Sequence, residues 1–513
     1  MSNILKQWWE ENKNNLLLCL AATFIIGLAA HAFQFLNFQY AHDSLDGLYV
    51  LGRENAHKVE LGRIFAPVYR YFFGGNFSVP WLIGFMSLLW IALAAFFVVN
   101  SLDIKSKPMI ALTCGVMAVN INVIGLAATF MHDLDIDMFS MMLACLGVYI
   151  WKTRLFGRFW LLFGAAAVCG SMGMYQSFIS VAIVLIMLVL LCRIVSGADT
   201  HAVIKDTLGA LAMGAGGCVM YAAALKVTPR LTGIALTGRN SLTALFGLSF
   251  GEIANLVKAA YVKWFEYFVY FKSNWASVKI TAVLHIVLMA ALVVLAAVLA
   301  AKNSTSLLCK LAAAAIVVTL PLAMNIMRVV SVVAYHDLMK YAFVFLYIGV
   351  FALGEKSGVR AAQLVPLFCT AVVVFASVQA ANELYLKRHL AYDATMTRMA
   401  FVLHDMELAG YVQPSDSKPE FDRVLVEGNI RLHYYREFEN LDDIKDANVD
   451  NAVTSDPKSI EHYFRYVLGC WVEFCSDGEA AAIRDTEAFE NMPVYPQEGY
   501  IQYINDVMVV KLN

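Results

Sequence analysis

The sequence predicts a polytopic α-helical membrane protein with about eleven transmembrane helices and a small C-terminal α/β domain. Of its 513 residues, 60% are hydrophobic and only 15% are charged, and the mean hydropathy is +0.63. About eleven apolar runs lie between residues 15 and 380, each long enough to span roughly 30 Å of hydrocarbon. These observations exclude a soluble globular fold.

Short loops rich in lysine and arginine indicate which helix ends face the cytoplasm, because such loops are retained on that side. They carry Lys6, Lys13, Lys105, Lys107, Lys152, Arg154, Arg158, Arg193, Lys205, Lys302, Lys310, Lys356 and Arg360. The segments expected outside are 37–80, 128–137, a turn near Gly173, 227–277, 328–338 and everything after residue 381. We therefore expect a multi-pass membrane protein with a cytoplasmic N terminus; in a bacterium the membrane would be the inner one and the C-terminal domain would lie in the periplasm. Residues 16–33 should remain as an anchor, because no cleavage site follows them.

The last 132 residues form the expected periplasmic domain. Residues 382–513 carry 12 Lys+Arg against 24 Asp+Glu, a net charge of −12, which leaves +10 for residues 1–381. This acidity argues against nucleic acid or an anionic membrane surface as the partner of the domain. Strands are predicted at 424–426, 451–455 and 501–511, and helices at 458–468 and 479–490. Cys470 and Cys475 could form a disulfide or remain free.

Two acidic clusters lie just beyond the outward ends of apolar runs. They read His42-Asp43-Ser44-Leu45-Asp46 and His132-Asp133-Leu134-Asp135-Ile136-Asp137. Carboxylates are costly near a bilayer, and partial desolvation raises their pKa values toward neutrality, as a general base for a sugar hydroxyl requires. Asp43 is our first choice for that base. Alternatively, Asp43 and Asp46 cap a helix that starts near Leu45.

The second cluster places Asp133 and Asp137 four residues apart, on one face of the helix that begins the fourth span, with Asp135 turned away. These carboxylates could help to bind Mg²⁺ or Mn²⁺, orient an acceptor, or tune the first cluster by like-charge repulsion. A solvated first helical turn, favoured by the helix dipole, would account for at least one of them.

A cation near the outward ends could hold the phosphate of a lipid-linked donor. Arg328 follows the ninth span, with Tyr335 and His336 a few residues further on, and Arg63 is an alternative ligand. Arg328 could instead simply extend its charge to the membrane interface.

The remaining outward segments suggest where a sugar or a lipid would enter. Tyr175 and Gln176 lie in the turn between the fifth and sixth spans and could bond sugar hydroxyls. Residues 59–73 and 252–272 are typical of amphipathic helices in the interface, which either shape an entry for a lipid-linked substrate or only cover the rim of the bundle.

Several other chemistries are not indicated. The sequence has no phosphate-cradling Gly-rich loop after a strand and no Gly-x-Ser-x-Gly elbow. Gly214-Ala215-Gly216-Gly217 lies within an apolar span, where it favours close helix packing. His285 in the eighth span is expected to be a hydrogen-bonded core residue.

At these positions the chain resembles the integral-membrane glucosyltransferases of the Gtr type II family, members of the lipid-donor (GT-C) superfamily that modify O-antigen in serotype conversion. The matching motifs are Tyr40-Ala41-His42-Asp43, Gly62-Arg63, Phe130-Met131-His132-Asp133, Tyr175-Gln176, Asn382-Glu383-Leu384-Tyr385, Tyr392-Asp393, Met492-Pro493-Val494-Tyr495-Pro496 and Val509-Val510-Lys511-Leu512. The resemblance covers nearly the whole chain through the order and spacing of these motifs.

The resemblance implies transfer of glucose from undecaprenyl-phosphate glucose to a sugar of a lipid-linked O-antigen repeat at the periplasmic face, with inversion at the anomeric carbon. Asp43 falls on the first-loop acid of the family and Asp133 on the second. The family often has adjacent acids in the first loop, whereas Ser44 follows Asp43 here, so Asp46 stays open as the base. Membrane lipids, a donor synthase and a donor flippase are the implied partners, and no redox or nucleotide cofactor is required.

Two other classes of function stay open. A transporter or flippase of a lipid-linked sugar also keeps charged residues near membrane ends. Against it, the acidic clusters gather on one side and no matching pair of broken spans is evident. A polymerase or ligase of the same pathway is the other alternative, although the paired acidic clusters favour the transferase.

Overall fold

The computed structural model describes residues 2–37, 53–74, 77–237, 247–269, 280–331, 335–411, 422–428 and 457–512. These residues divide into two compact units. The first contains residues 2–36, 53–127 and 131–382, and the second contains residues 128–130 and those from 383 onward. The strand predicted at 451–455 lies outside the described residues.

Helices dominate the first unit. In chain order they are α1 Ser2–Leu36, α2 Arg53–Glu60, α3 Ala66–Phe73, α4 Pro80–Leu102, α5 Lys107–Ala118, α6 Ile121–Thr129, α7 Leu134–Thr153, α8 Trp160–Met174, α9 Ile179–Val195, α10 Thr200–Thr232, α11 Phe250–Val269, α12 Ile280–Asn303, α13 Leu307–Met324, α14 Met327–Val330, α15 Phe345–Ser357 and α16 Arg360–Leu408. Short 3-10 helices cover Met131–Asp133, Gly157–Phe159, Gln176–Phe178 and Asp337–Val344.

The predicted multi-pass helical fold is confirmed. In the described part of the chain, ten helical segments are long and apolar enough to cross a membrane: Trp9–Leu36, Pro80–Leu102, Lys107–Thr129, Met131–Thr153, Gln176–Val195, Thr200–Thr232, Ile280–Asn303, Leu307–Met324, Leu338–Ser357 and Arg360–Leu408. The sequence predicted about eleven; the apolar helix α8 has only 15 residues and is too short to be counted among the ten. Two helices extend beyond the ends expected from the sequence. α10 runs to Thr232, past the expected loop start at 227, and α16 continues past residue 381 to Leu408.

Small residues let the helices pack closely, as the glycine run in α10 predicts. A Cβ atom on Gly217 would lie 2.7 Å from Val168 and 3.1 Å from the carbonyl oxygen of Ala165. Without a hydrophobic force between helices in lipid, such close approach is a main source of helix association. His285 is a hydrogen-bonded core residue, as expected, with Nδ1 3.1 Å from the Phe268 carbonyl and Nε2 2.7 Å from the Tyr347 hydroxyl.

The third span is interrupted between α5 and α6, and Asn120 fills the break. Its amide nitrogen donates to the carbonyls of Val116 and Met117 at 3.0 and 3.1 Å, and its Oδ1 accepts from the backbone nitrogens of Asn122 and Val123 at 3.1 and 3.3 Å. Helix breaks at membrane depth persist only where neighbouring groups take up the freed backbone. The side chain of Asn120 therefore allows the span to bend there.

The predicted amphipathic helix at 59–73 is two helices in the structure. α2 ends at Glu60 and α3 begins at Ala66, because Gly62 adopts a positive φ of 81° that stops the first helix. The other predicted amphipathic segment is helical as expected, with α11 covering Phe250–Val269, while residues 270–279 lie outside the described part. The break at Gly62 therefore separates the loop between the first two spans into two short helices.

The second unit contains the expected small α/β region. Its elements are β1 Arg423–Glu427, α17 Pro457–Tyr466, β2 Glu473–Phe474, α18 Asp477–Arg484, α19 Glu487–Glu490, β3 Ile501–Ile504 and β4 Val507–Lys511. The sheet order is β2-β1-β4-β3, with β1 parallel to β2 and β4, and with β3 antiparallel to β4. The single strand predicted at 501–511 is a hairpin, because Asn505 and Asp506 take positive φ values and turn the chain.

Each face of this sheet is covered by helices. Val424, Val426, Met508 and Val510 face the cluster that contains residues of α16 and α17, while Leu425, Val507 and Val509 face α18. Cys470 belongs to the first cluster and Cys475 packs against the second. Both thiols are free, and burial raises the pKa of Cys470 to about 11, so this thiol stays protonated near neutral pH.

Replacing Asn120 with leucine should destabilise the protein, because it removes the side-chain hydrogen bonds at the break in the third span. We expect a loss of roughly 1–3 kcal/mol, measured as a lower midpoint of thermal unfolding in detergent. Asn303→Leu is the control, since the Asn303 amide donates one bond, of 2.8 Å, to the Val195 carbonyl. A smaller loss for Asn120→Leu than for the control would contradict this account.

Candidate functional site

Three turns meet at one end of the spans, the end that the sequence predicts to face outward. They are residues 61–65 between α2 and α3, the 3-10 turn Met131–Asp133 before α7, and residues 175–178 between α8 and α9. The backbone nitrogen of Phe65 donates to the carbonyl of Gly173 at 2.9 Å, which fixes the first turn to the third. A Cβ atom on Gly173 would lie 2.2 Å from the Phe65 ring, so glycine permits this contact.

Asp133 lies at the centre of a buried group of charges. Its Oδ2 accepts hydrogen bonds from Lys58 Nζ and from Arg63 Nη1, the latter at 3.2 Å, and His132 Nε2 is 3.7 Å away. Asp133 is 6% exposed and Lys58 is 7% exposed. A charge so far from water is tolerated only when it is paired and hydrogen-bonded. The pair thus ties the outward loop to the start of α7.

Arg63 also contacts the turn between α8 and α9. Its guanidinium carbon lies 4.3 Å from the centroid of the Tyr175 ring. The backbone nitrogen of Arg63 donates to the carbonyl of Lys58 at 2.8 Å, so the two cations have a fixed separation along the loop. Stacking on an aromatic face stabilises a guanidinium in one orientation. Arg63 is therefore held in place before any ligand arrives.

Gly62 brings the loop close to two polar side chains. Gln176 Nε2 donates to the Leu61 carbonyl at 3.0 Å, and the Tyr221 hydroxyl donates to the Gly62 carbonyl at 3.0 Å. A Cβ atom on Gly62 would lie 2.9 Å from Gln176 Nε2 and 2.9 Å from the Tyr221 oxygen. Gln176, predicted to bond a sugar, thus also supports the loop that carries Arg63.

Asp135 faces a different set of partners from Asp133. Its Oδ2 accepts from the Tyr69 hydroxyl and from Arg70 Nη1, both at 3.1 Å, and Trp90 Nε1 donates to the Tyr69 oxygen at 2.9 Å. Burial raises the pKa of Tyr69 and the neighbouring Asp135 raises it further, so the phenol keeps the proton that it donates. Asp135 is 1% exposed and is already satisfied. Its arrangement is that of a structural group that anchors α3 to α7.

Asp137 is the carboxylate of this cluster that is least engaged. It is 2% exposed, and its Oδ1 accepts no hydrogen bond from the described residues. It lies one turn along α7 from Asp133, whereas the described cations bond to Asp133 and Asp135. A buried polar atom without a partner is uncommon and often marks a place where a ligand binds.

Arg328 belongs to a separate group of polar side chains. Its guanidinium carbon lies 5.5 Å from the Tyr335 ring, and the Tyr335 hydroxyl donates to Asn325 Oδ1 at 2.5 Å. In the described part of the chain, no hydrogen bond or ion pair joins Arg328 to Asp133, Asp135 or Asp137. His336 is exposed. The adjoining 3-10 helix reaches the turn at 175–178 through the Phe178 and Tyr341 rings, whose centroids are 5.7 Å apart.

The first acidic cluster, with His42, Asp43 and Asp46, lies outside the described residues. Among the residues that the structure describes, no group of three or more His, Cys, Asp or Glu side chains is arranged to hold a metal ion. Asp133 and Asp135 instead face cations.

Sequence reasoning missed Lys58, Arg70 and Tyr69. One signal was available: Lys58, Arg63 and Arg70 are three cations in the outward loop that precedes the three acids of the second cluster. Their pairing depends on the break at Gly62, which periodicity within 59–73 does not reveal.

Lys58→Met and Asp133→Asn should each destabilise the protein by roughly 3 kcal/mol, because each leaves an imperfectly compensated buried charge. The double variant should lose less than the sum, as measured by thermal unfolding in detergent. Lys152→Met is the control, since Lys152 pairs with the half-exposed Asp103 and should cost less than about 1 kcal/mol. Additive losses would show that Lys58 and Asp133 do not interact.

Gly62→Ala should destabilise more than Gly157→Ala. Both glycines have positive φ, 81° and 52°, so both substitutions carry the backbone strain of about 1–2 kcal/mol for an L residue. Only at Gly62 would the new methyl group also collide with Gln176 and Tyr221, whereas nothing lies within 4 Å at Gly157. Equal unfolding midpoints for the two variants would refute the close approach at Gly62.

Comparison with known proteins supports the resemblance for the motifs from Tyr40 to Gln176, whereas the motifs at 382–393 and 492–512 lie beyond the matched region. The model of the family described as glucosyl transferase GtrII matches residues 32–353, more than half of the chain, and includes all three turns of the site. No curated protein and no solved structure matches the chain significantly. The chain is therefore a multi-pass membrane protein that belongs to the glucosyl transferase GtrII family.

Proposed function

We propose that this chain transfers a glucosyl group from undecaprenyl-phosphate glucose to a sugar of a lipid-linked O-antigen repeat, at the periplasmic face of the bacterial inner membrane. Membership of the family supports glucosyl transfer. The observation that carries the proposal is the buried group of Lys58, Arg63, Asp133 and Asp137 at the span ends opposite the Lys/Arg-rich loops. It offers cations for a phosphate and a carboxylate for a sugar hydroxyl.

The proposed reaction is a single in-line displacement with inversion at the anomeric carbon. The oxygen of the acceptor hydroxyl forms a bond to C1 of glucose while the bond from C1 to the phosphate oxygen breaks. The electron pair of that bond stays on the phosphate, and the hydroxyl proton passes to a carboxylate base. The sugar–phosphate bond supplies the driving force, so the step requires no nucleotide or redox cofactor.

Lys58 and Arg63 are suited to the leaving phosphate, where negative charge grows as the bond breaks. Both are already oriented by Asp133, and Arg63 is stacked on Tyr175, so little reorganisation is needed when the donor binds. The phosphate would then share Lys58 and Arg63 with Asp133, or partly replace Asp133 as their partner. Arg328, half-buried beside Tyr335, is the alternative cation.

The base in this proposal is Asp43, with Asp46 as the alternative, on the strength of the family resemblance. Asp137 would orient the acceptor hydroxyl, because Oδ1 of this buried side chain has no partner among the described residues. Tyr175 and Gln176 border the same group and could contact the sugar. The described residues contain no group of three or more His, Cys, Asp or Glu side chains arranged to hold a metal ion. A divalent metal such as Mg²⁺ or Mn²⁺ would therefore need carboxylate ligands from outside the described part of the chain.

A transporter or flippase of the lipid-linked sugar is the rival function, and a polymerase or ligase is the other. Buried charges at membrane ends serve transport as well, and the interrupted third span resembles the broken helices of transporters. The family match favours transfer over both. A donor synthase and a donor flippase would act before this protein.

The test is to measure, in membranes, the transfer of labelled glucose from undecaprenyl-phosphate glucose to a lipid-linked O-antigen acceptor. We expect Asp43→Asn or Asp46→Asn to abolish transfer, because each removes a candidate base. Asp137→Asn should lower transfer about 100-fold, the usual cost of misplacing a reacting group. NMR and mass spectrometry of the polysaccharide from cells would identify the added branch.

Asp103→Asn is the matched control, because Asp103 is half-exposed and pairs with Lys152 away from the three turns. Its transfer rate should equal that of the wild type at matched protein levels. If the wild type moves the labelled lipid across vesicles without transferring the sugar, the transferase proposal fails and transport replaces it. Normal transfer by Asp137→Asn would remove that residue from the mechanism.

A further inference from the structure

A second group of charges lies at the opposite ends of the spans, around a cavity of about 460 Å³. We name it the basic cavity. It is lined by Arg154, Trp160, Arg193, Ala202, Lys205, Asp206 and Gly209. Arg154 follows α7, and Arg193 lies in the last turn of α9. Ala202, Lys205, Asp206 and Gly209 lie in the first three turns of α10. These are the ends that carry the Lys/Arg-rich loops.

The basic cavity has more positive than negative charge. Asp206 is its one acid: Oδ2 is 3.0 Å from Arg193 Nε, and Oδ1 is 3.8 Å from Arg154 Nη2. Lys205 is exposed and forms no ion pair in the described part of the chain. One carboxylate thus faces three cations. The pKa of Arg154 lies below its usual value, chiefly because of burial; Asp206 raises it and the neighbouring Arg193 lowers it. A further anion beside Arg154 would therefore be favourable.

Two buried hydrogen-bond donors in this region have no acceptor among the residues that the structure describes. They are Nε1 of Trp151, which is 2% exposed, and Nη1 of Arg154. Gly209 leaves the space open: a Cβ atom there would lie 3.2 Å from Trp151 Nε1 and 3.4 Å from Arg154 Nη2. The Trp160 ring stacks on Arg154 at 3.7 Å and fixes the guanidinium. Buried donors without acceptors are costly, so the cavity is suited to an acceptor-rich group.

We propose that the basic cavity binds the phosphate of an anionic membrane lipid. A pair of phosphate oxygens matches the fork of an arginine, and another oxygen can accept from Lys205, which also lines the cavity. Asp206 holds the two arginines apart and leaves their outer nitrogens for the ligand. Basic pockets between transmembrane helices on the positive side of a membrane are suited to lipid head groups.

The surroundings favour a lipid over a soluble phosphate. Leu208 and Leu211 on α10 are 61% and 64% exposed, and Leu162 on α8 is 56% exposed. These side chains continue from the cavity along the apolar surface, where acyl chains would lie. The proposal does not depend on glucosyl transfer, because none of these residues belongs to the site around Asp133.

The test is native mass spectrometry of the full chain in detergent, titrated with phosphatidylglycerol and, separately, with phosphatidylcholine. We expect phosphatidylglycerol to bind about tenfold more tightly, and the preference to disappear in Arg154→Gln and Arg193→Gln. Gly209→Leu should also remove it by filling the cavity without a change of charge. Thermal unfolding of each variant verifies that it is folded.

Arg158→Gln is the matched control, since Arg158 lies in the same loop with its guanidinium 4.8 Å from the Phe159 ring and outside the cavity. It should keep the full preference. Equal loss in Arg158→Gln, or no lipid preference in the wild type, would overturn the proposal. A rise of the unfolding midpoint with millimolar inorganic phosphate alone, without any lipid preference, would assign the cavity to a soluble phosphate instead.

Discussion

The end of the helical unit that contains the three turns depends on the pairing of buried charges between the loop 53–74 and the start of α7. Asp133 with Lys58 and Arg63, and Asp135 with Arg70, join two segments that are more than 60 residues apart in sequence. Each pair is costly to bring out of water, and the low dielectric then makes each one costly to break. The loop consequently has one position relative to the spans, and its cations face a fixed point. That rigidity is what preorganised stabilisation of a leaving phosphate requires.

The two groups of charges lie at opposite ends of the same helices and differ in composition. Around Asp133, the cations bond to the carboxylates of Asp133 and Asp135. Asp137 is the carboxylate to which no described cation bonds, and it is suited to a neutral hydroxyl. In the basic cavity the cations exceed the single acid, Asp206, and the unpaired groups are donors. The two groups therefore differ in net charge: the cations around Asp133 are already paired with carboxylates, whereas those of the basic cavity exceed its acid. α7 contributes to both, through Asp133 before its first turn and Arg154 after its last.

Much of this architecture could be predicted from sequence because it is local. Length and hydropathy predicted the multi-pass helical fold, with about eleven spans against the ten candidates found in the described part of the chain. The glycine run in α10 indicated close packing, and the acidic motif marked the start of α7. The break at Gly62 and the hairpin turn at Asn505 were missed, because backbone conformations with positive φ leave the hydropathy pattern unchanged. Lys58 and Arg70 were missed for another reason: pairing across the fold is a tertiary property that one sequence does not display. Asp43 and Asp46 stay predictions from resemblance.

Main-chain contacts hold much of the frame around the three turns. The Phe65 nitrogen bonds to the Gly173 carbonyl, and the Thr237 nitrogen bonds to the Glu60 carbonyl, so neither link depends on a particular side chain. Sequences can therefore drift at most loop positions while the geometry stays the same, provided that the few glycines and charged residues are kept. Short, scattered motifs separated by variable stretches are the evolutionary signature that such a scaffold leaves behind.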